Sequence, residues 1–377
     1  MSRMQAYLLL LHAYVGVRVL PDLPFGVVGV IAGVVVLVAS AWLIPFAFHR
    51  RRSVLAGHAR QLMWAGLVAL GALSTLVVLT FLRDVALLAA LGVDRVWAGT
   101  VPIEAYVQLS AVAVPAGTAL LTLIGYVNAR RVAAVRTIDV PIASLHPSLH
   151  GFTIAQITDV HVGPTIARDY VEAVVDIVNT LDADLVAITG DLVDGSVPQL
   201  AHHTAPLARL AARHGTFFVT GNHEYYSGAH AWIGELRRLG INVLLNEHVV
   251  LDHDGAAIAV AGVTDSSAHH FDPSHRSDPA RAIAGAPDAC VKLLLAHQPR
   301  SAFAASPANF DLQLSGHTHG GQFLPWNFFV RFQQPFTAGL RRFGKLWVYT
   351  SRGTGYWGPP KRLGAPSEIT RLRLVPA

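Results

Sequence analysis

Long apolar runs dominate the first third of the chain, and short apolar runs dominate the rest. Residues 25–48, 62–82 and 107–127 are each about 20 residues or longer and carry few charges, the length that a helix needs to cross a hydrocarbon core of roughly 30 Å. We predict that all three span a membrane. Residues 6–19 are shorter and contain His12 and Arg18. This segment is a marginal span, an interfacial helix or the apolar part of a signal sequence, and we favour an uncleaved first span.

From Thr137 onward, short β-rich runs alternate with helical periodicity. Buried strands are predicted at 152–158, 185–189, 216–220, 292–295 and 312–314. Helices are predicted at 166–181, 198–213 and 229–239, and an antiparallel hairpin at 249–251 and 257–261. This alternation indicates βαβ units and a largely parallel sheet. We expect a membrane domain of about four helices at 1–130, a linker at 131–150 and a second domain at 151–377.

The charge is distributed unevenly along the chain. Before Thr137 there are eleven arginines, no lysine and four acidic residues, a net charge of +7; the remainder has 18 basic and 20 acidic residues, a net charge of −2. The overall basic character therefore belongs to the membrane part, and we expect no nucleic-acid partner.

The arginines of the short loops fall into two classes. One class is Arg3, Arg50, Arg51, Arg52, Arg60, Arg130, Arg131 and Arg136, and the other is Arg18, Arg83 and Arg95. The positive-inside bias places the first class, both termini and the second domain in the cytoplasm of a cell whose inner membrane the chain crosses several times. We expect Asp84, Asp94, Arg95 and Glu104 in an outer loop.

A polar cluster follows each of the five predicted strands. The clusters are Asp159-Val160-His161-Val162-Gly163, Gly190-Asp191-Leu192-Val193-Asp194-Gly195, Gly221-Asn222-His223-Glu224, His297-Gln298-Pro299 and His317-Thr318-His319. Each alone has an ordinary explanation as a helix cap, a turn or a surface histidine. Because the carboxyl ends of strands in an α/β sheet share one edge, we expect all five to converge. Their imidazole, carboxylate and amide groups suit divalent Mn, Fe, Co, Zn or Ni, and the set is large enough for two ions.

These clusters carry a resemblance to a known superfamily. In chain order, Asp159-x-His161, Gly190-Asp191-x-x-Asp194, Gly221-Asn222-His223-Glu224, His297 and Gly316-His317-x-His319 resemble the motifs of the calcineurin-like metallophosphoesterases. Residues 295–299, 314–322 and 353–360 further resemble its bacterial membrane-associated branch, in which some members act on phosphodiester or pyrophosphate bonds of lipid-linked substrates. The resemblance covers about residue 151 to the C-terminus. It implies a four-layer αββα sandwich, preceded here by an all-α transmembrane bundle.

The resemblance also implies roles for individual residues. It assigns one metal ion to Asp159, His161 and His319 and a second to Asn222, His297 and His317, with Asp191 bridging them. His223 would donate a hydrogen bond or a proton near the scissile phosphate, and Asp194 would orient its ring. Gly195 stands where the Ser/Thr protein phosphatases have an arginine, which weakens an assignment to those enzymes.

We therefore predict a membrane-anchored, metal-dependent phosphohydrolase that cleaves a phosphodiester or pyrophosphate bond, with a lipid or a nucleotide-linked lipid as one substrate class. One alternative is a phosphomonoesterase or nuclease with the same site. Another is a membrane sensor that binds metal and a phosphorylated ligand without turnover.

Two further features remain open at the level of sequence. The segment 323–345 interleaves aromatic and basic residues, and it is either a loop that packs its own aromatics or an interfacial lip that attracts anionic lipid. Five other histidines are interpreted as surface residues: His202, His203, His269, His270 and His275.

Overall fold

The computed structural model describes residues 3–49, 58–288 and 290–377, so the predicted cytoplasmic arginines Arg50, Arg51 and Arg52 lie outside the described residues. The chain divides into two compact units. The helical unit comprises Met1–Asn128, Phe323–Pro325 and Gly358–Leu363, and the second unit comprises Ala129–Gln322, Trp326–Trp357 and Gly364–Ala377.

The described residues of the helical unit form four α-helices. They are α1 (Arg3–Val19), α2 (Gly26–His49), α3 (His58–Val96) and α4 (Ile103–Arg130). Three segments are long and apolar enough to cross a membrane: Gly26–Ala47, Arg60–Val96 and Ile103–Arg130. Helix α1 has 17 residues, which is at the short limit for a span.

Helix α3 extends well past the predicted end of its apolar run at residue 82. It has 39 residues, so Asp84, Asp94 and Arg95 lie in the helix and not in the outer loop where we expected them. Glu104, expected in the same loop, lies in the first turn of α4. Neighbouring groups compensate the charge of Asp84. Tyr14 donates a hydrogen bond of 2.8 Å to Asp84, and Arg18 forms an ion pair of 3.0 Å with the same carboxylate.

Arg83 is the most buried charged side chain of this part of α3. Its guanidinium donates to the carboxylate of Asp22, to the backbone oxygens of Arg18 and Val107, and to the hydroxyl of Ser110. An ionised group removed from water needs such partners, because an unpaired buried charge costs several kcal/mol. Arg83 therefore connects the end of α1, the Asp22 turn and the start of α4.

Two short segments from late in the sequence are part of the helical unit. Lys361 is buried, and its ammonium donates to Gly71 O (2.8 Å), to Thr122 Oγ1 (3.1 Å) and to Thr75 Oγ1. Ser74 donates to the backbone oxygen of Leu324 (2.7 Å). The fit depends on small residues of the helices, since a Cβ on Gly125 would lie 2.6 Å from the Lys361 side chain.

The second unit contains two six-stranded β-sheets. The first has the order β1-β12-β2-β3-β4-β5, formed by Ala134–Ile142, Glu368–Pro376, Thr153–Ile157, Leu185–Ile188, Thr216–Phe218 and Asn242–Val243. Strand β12 is antiparallel to β2, and the other neighbours are parallel. Strand β1 lies inside the stretch 131–150 that we expected to be a linker, so nine residues of this stretch belong to the sheet.

The second sheet has the order β10-β11-β9-β8-β7-β6. Its strands are Gly339–Phe343, Leu346–Thr350, Leu312–Ser315, Val291–Leu295, Ala256–Gly262 and Glu247–His253. Strands β6 and β7 form the predicted antiparallel hairpin, with Leu251 opposite Ile258. Strands β7, β8, β9 and β11 are parallel.

The two sheets pack face to face, with helices on both outer faces. The central core combines Ile154, Leu185 and Phe217 of the first sheet with Val260 and Leu293 of the second. On the outer face of the first sheet lie α5 (Arg168–Asn179), α6 (Val197–Thr204), α7 (Asn222–Ser227) and α8 (Ala229–Arg238). On the outer face of the second lie α9 (Pro279–Ile283) and α10 (Ala302–Ala305). The predicted four-layer αββα sandwich is confirmed.

Helix α6 is shorter than the predicted helix at 198–213. It ends at Thr204, and residues Ala205–Arg209 form a 3₁₀ turn. Pro206 explains the break, because proline has no N–H to donate and its ring collides with the preceding turn of an α-helix. A last short helix, α11, comprises Trp326–Phe329.

The five predicted strands that precede the polar clusters are all present, but they do not share one sheet. Three of them (β2, β3 and β4) belong to the first sheet, and two (β8 and β9) belong to the second. The clusters therefore meet where the carboxyl ends of two packed sheets lie side by side, and not along the edge of a single sheet as we expected.

Candidate metal centre

The candidate site is built from the turns that follow β2, β3, β8 and β9 and from the first turn of α7. Five of its residues have a left-handed backbone with φ between 50° and 68°: Asp159, His161, Asp191, His317 and His319. Such a conformation is unfavourable for residues other than glycine and is concentrated at functional sites. Each turn thereby directs its side chain into the space between the two sheet edges.

Asp159, His161 and His319 form a first group of ligand atoms. His161 Nε2 lies 3.1 Å from His319 Nε2, and His319 Nε2 lies 3.4 Å from Asp159 Oδ1. The three side chains are buried. Two imidazole nitrogens and a carboxylate oxygen that converge in this way provide three ligand atoms for one cation.

Asp191, His297 and His317 form a second group. His297 Nε2 lies 3.1 Å from Asp191 Oδ2 and 3.1 Å from His317 Nδ1. The other nitrogen of the His297 ring, Nδ1, lies 2.8 Å from the backbone oxygen of Thr189. A hydrogen bond to that oxygen requires a proton on Nδ1, and it leaves Nε2 with a lone pair for a metal.

Asn222 begins α7 and is nearly fully buried. Among the described residues, its side-chain oxygen Oδ1 has no hydrogen-bond partner. A buried amide oxygen without a partner is costly, and an amide oxygen is a suitable metal ligand. Asn222 thus fits the ligand role that the sequence resemblance implies for it.

Asp191 stands between the two groups. Its Oδ2 lies 3.1 Å from His297 Nε2 of the second group and 3.9 Å from His161 Nε2 of the first. Its Oδ1 accepts a hydrogen bond of 2.8 Å from the backbone N–H of His223. One oxygen is therefore fixed to α7, and the other faces both groups.

The ring of His223 is held by Asp194. The Asp194 carboxylate contacts His223 Nδ1, while His223 Nε2 faces Asp191 Oδ2 at 3.9 Å. Burial of the ring opposes protonation, but the Asp191 and Asp194 carboxylates outweigh it and raise the pKa of His223 to about 9. His161 also approaches Asp194, at 3.4 Å, so His161, Asp194 and His223 form a third group of potential ligand atoms.

The buried charges of the site shift one another. Burial raises the pKa of Asp159. Burial also opposes ionisation of Asp191, yet His297, His223 and His161 together outweigh it and hold the pKa of Asp191 well below its usual range. Burial and the neighbouring His297 lower the pKa of His317 to about 3, so this imidazole is neutral at pH 7, the form that binds a metal.

Glu224 contributes to the site in a way that the sequence did not indicate. Its buried carboxylate accepts hydrogen bonds from the backbone N–H groups of Gly221, Asp191 and Leu192, at 2.6, 3.0 and 2.8 Å. It thereby ties the turn after β3 to the start of α7. The position of Glu224 directly after Asn222 and His223 was the only available signal, because two of these partners, Asp191 and Leu192, are backbone groups more than thirty residues away along the chain.

Two glycines allow the turns to approach this closely. A Cβ on Gly316 would lie 2.0 Å from Asp159 Oδ2, and a Cβ on Gly221 would lie 2.2 Å from Asp191 Oδ1. Neither approach is compatible with any side chain. The glycines that flank the sequence motifs are therefore required by the positions of the two carboxylates.

Considered together, the donor set fits divalent cations. It consists of imidazoles, carboxylates and one amide oxygen, without a thiolate, which is typical of Mn, Fe, Co, Ni or Zn sites. The structure brings together eight of the nine residues that the sequence analysis selected: Asp159, His161, Asp191, Asp194, His223, His297, His317 and His319. The ninth, Asn222, directly precedes His223, whose backbone N–H donates to Asp191.

Comparison with known proteins places this site in a family. A family model described as calcineurin-like phosphoesterase matches residues 152–321, a range that contains all nine site residues. An uncharacterized metallophosphoesterase of Aquifex aeolicus is 33% identical over 219 residues, which are 57% of this chain and 82% of that protein. The chain belongs to the calcineurin-like phosphoesterase family. Its second unit is thus a metallophosphoesterase domain, and its buried cluster of Asp and His residues supports binding of divalent metal.

Other metallophosphoesterases with similar sequences come from animals and bacteria. A "transmembrane protein with metallophosphoesterase domain" of Bos taurus is 41% identical over 272 residues, 69% of this chain and 61% of that protein. An uncharacterized metallophosphoesterase of Helicobacter pylori is 40% identical over 228 residues, 59% of this chain and 60% of that protein. This metallophosphoesterase thus spans about three fifths of the length of these two relatives. The bovine name and the three long apolar helices indicate a membrane-associated protein.

Proposed function

We propose that this protein is a membrane-anchored phosphohydrolase that holds two divalent cations and cleaves a phosphodiester or pyrophosphate bond. The position of Asp191 carries the proposal, because its Oδ2 faces His297 of one ligand group and His161 of the other. A carboxylate has two oxygens and a negative charge, so it can serve both positions and offset the repulsion between like charges. When bound, such a pair of cations lowers the pKa of a water toward neutrality and neutralises charge on the attacked phosphoryl group.

In this proposal the two ligand sets are those implied by the sequence. Asp159, His161 and His319 hold one ion, and His297, His317 and Asn222 hold the other. The unpartnered Oδ1 of Asn222 supports its assignment, since an amide oxygen supplies a ligand without adding charge. Metal identity is restricted by this donor set to Mn, Fe, Co, Ni or Zn.

His223 acts on the phosphate or on the leaving group. Asp194 fixes Nδ1 of the ring, so Nε2 is directed toward Asp191 and the interior of the site. The raised pKa of His223 keeps the ring protonated at neutral pH, which suits a donor to the developing negative charge of a leaving oxygen. Asp194 positions this ring and does not itself contact the substrate.

The substrate class is a lipid or a nucleotide-linked lipid. Membrane helices confine the site to a surface layer, where a lipid has a high effective concentration. In the segment 323–345, four aromatic side chains also have half or more of their surface exposed: Trp326, Phe328, Phe329 and Phe332. Exposed aromatic rings next to basic residues such as Arg331 are typical of segments that lie at a lipid surface, which favours the interfacial alternative for 323–345.

We also propose that the chain is a multi-pass protein of the cell inner membrane with its catalytic domain in the cytoplasm. The proposal rests on Arg130, the last residue of α4, and on Arg131 and Arg136, which lie within six residues after it. Short basic segments beside a span are retained on the cytoplasmic side.

Hydrolysis by the full-length protein in detergent tests the catalytic proposal. The substrate is bis(nitrophenyl) phosphate with added Mn²⁺. We expect metal-dependent turnover, and we expect His223→Ala to lower kcat by about 10²- to 10⁴-fold while metal content stays unchanged. His269→Ala, on a turn away from the ligand groups, serves as the control. Absence of turnover despite bound metal would exclude the proposed hydrolytic function. Loss of metal in His223→Ala would show that His223 is a metal ligand.

The substrate class needs a separate comparison. A phosphodiester lipid in mixed micelles is compared with the same headgroup esterified to a short, water-soluble alcohol. We expect kcat/KM to be at least about tenfold higher for the micellar lipid, because the anchored site meets it at the surface. Equal values would contradict the lipid class and leave the hydrolytic activity unaffected.

A further inference from the structure

A second cluster of metal-binding side chains lies outside the strand-end site. It consists of His230 in the first turn of α8 and of Asp272 and His275 in the turn between β7 and α9. His230 Nε2 lies 3.0 Å from Asp272 Oδ2, and His275 Nε2 lies 3.9 Å from the same oxygen. Among the residues that the structure describes, it is the one group of three convergent His and Asp ligand atoms that shares no residue with the strand-end site.

Each of the two partly buried members of this cluster is oriented by another hydrogen bond. His275 Nδ1 lies 2.8 Å from the hydroxyl of Tyr225. Asp272 Oδ1 accepts from the backbone N–H and the hydroxyl of Ser274, at 2.9 and 2.6 Å. These contacts leave His275 Nε2 and Asp272 Oδ2 directed at His230, as outer hydrogen bonds do for the ligands of metal sites.

The protonation states suit a cation. Partial burial lowers the pKa of His275, and the nearby His230 adds to this effect against the opposing Asp272 charge. Hydrogen bonds from Ser274 lower the pKa of Asp272. Around neutral pH the cluster therefore presents a carboxylate and a neutral imidazole, the forms that bind metal ions.

We propose that His230, Asp272 and His275 form an additional divalent-cation site of the zinc class, separate from the strand-end site. Zinc bonds of about 2.0–2.2 Å at tetrahedral angles separate ligand atoms by about 3.4 Å, and the two measured separations of 3.0 and 3.9 Å lie on either side of this value. Water would occupy the fourth coordination position, on the exposed side of the cluster where His230 lies.

An ion at this position would stabilise the side chains that pack beside His223. The site connects the first turn of α8 to the turn that carries Phe271, and the Phe271 ring packs at 5.5 Å against Tyr226. The Tyr226 ring in turn lies 5.2 Å from the His223 ring. The additional site is therefore a structural one that fixes two segments more than forty residues apart in the sequence.

Zinc stoichiometry of the full-length protein tests the proposal. The protein is equilibrated with Zn²⁺, dialysed and analysed for bound metal. We expect His230→Ala to bind one equivalent fewer than the wild type, and Asp272→Asn to show the same loss. His269→Ala/His270→Ala removes two adjacent histidines that belong to none of the ligand groups, and we expect it to keep the wild-type stoichiometry.

Two further readouts separate this site from the strand-end site. Asp191→Asn is expected to retain the zinc equivalent bound by His230, Asp272 and His275. Zn²⁺ is also expected to raise the Tm of the wild type more than that of His230→Ala, because an ion that binds only the folded state stabilises it. The His230 side chain is 73% exposed, so its removal leaves packing intact. Equal zinc stoichiometry in His230→Ala and the wild type would overturn the proposal.

Discussion

Left-handed backbone conformations distinguish the ligand residues from the rest of the sheet ends. Asp159, His161, Asp191, His317 and His319 all have φ near 50–68°, at a cost of roughly 1–2 kcal/mol each. Local hydrogen bonds offset part of this cost. The backbone N–H of His317 donates to both oxygens of Asp159, at 2.9 and 3.0 Å. The turn after β9 is thereby held by the carboxylate that the turn after β2 presents to the site.

Replacing Asp191 by Asn should remove both proposed metals together. An amide lacks the negative charge that offsets two cations, and its NH₂ group cannot act as a ligand. Metal content of the full-length protein is the measurement, with Mn²⁺ as the added ion. Asp139→Asn, which alters an exposed carboxylate paired with Arg373, is the matched control. Near-normal metal in Asp191→Asn would contradict the bridging role.

Replacing Glu224 by Gln should destabilise the second unit without removing a ligand. Three backbone N–H groups donate to this buried side chain, and a buried donor left without an acceptor costs about 1–3 kcal/mol. The glutamine NH₂ would face N–H groups, so we expect a loss of about 2–4 kcal/mol and a fall in Tm of at least about 5 °C.

Calorimetry on the full-length protein measures this change. Glu172→Gln, at an exposed position paired with Arg168, should shift Tm by less than about 2 °C. If Glu224→Gln melts like the wild type, the carboxylate does not hold the turn after β3 to α7.

At this scale the sequence indicated the residues whose side chains meet, because each follows a strand end in a recognisable motif. Their ligand roles stay predictions until metal is measured. It did not indicate Glu224, whose partners are backbone groups of a distant turn. It also suggested that His275 is a surface histidine, whereas its side chain is 12% exposed and faces Tyr225. Both depend on three-dimensional neighbours that the local sequence does not specify.

Helices α2 and α3 pack through a glycine. A Cβ on Gly66 would lie 2.4 Å from the backbone oxygen of Leu43 and 2.9 Å from Ala47 Cβ. Close approach at small residues is a common way for helices to associate where lipid surrounds them. A Cβ on Gly92, in the same helix, would meet no atom within 4 Å, so the two glycines differ only in their neighbours.

Alanine at the two positions should therefore have opposite effects. Gly92→Ala should stabilise the protein by up to about 1 kcal/mol, since alanine has the higher helix propensity. Gly66→Ala should destabilise it by about 1–3 kcal/mol, because α2 and α3 must separate. Thermal unfolding in detergent checks both variants. The same direction of change in both would show that α2 and α3 do not pack at Gly66.

At the scale of elements, apolar patterns predicted the main strands and the long helices. They missed the extension of α3 through Asp84 and Asp94, because Tyr14 and Arg18 compensate the first of these charges from another helix. They also missed β1. Its first four residues are exposed and its partner β12 lies more than 200 residues away, so neither burial nor sequence proximity marks it as a strand.

At the scale of the whole molecule, the orientation in the membrane can be measured directly. A reporter that is active only in the cytoplasm, fused after Arg136, should be active, and the same reporter fused after Gly99, in the turn between α3 and α4, should be silent. A reporter active only outside the cytoplasm should give the reverse pattern. External activity after Arg136 would move the catalytic domain to the other side of the membrane.

The helical unit is built from separate parts of the sequence, which restricts the chimeras that can be made from this protein. The segments Phe323–Pro325 and Gly358–Leu363 belong to the helical unit, although in the sequence they lie among the strands of the second unit. A single crossover near Asn128 that introduced foreign helices would leave the Lys361 ammonium without Thr75 and Thr122, a buried charge without its partners. A functional chimera would have to exchange the two short segments together with the helices. Helices and phosphoesterase domain are therefore expected to be inherited as one unit.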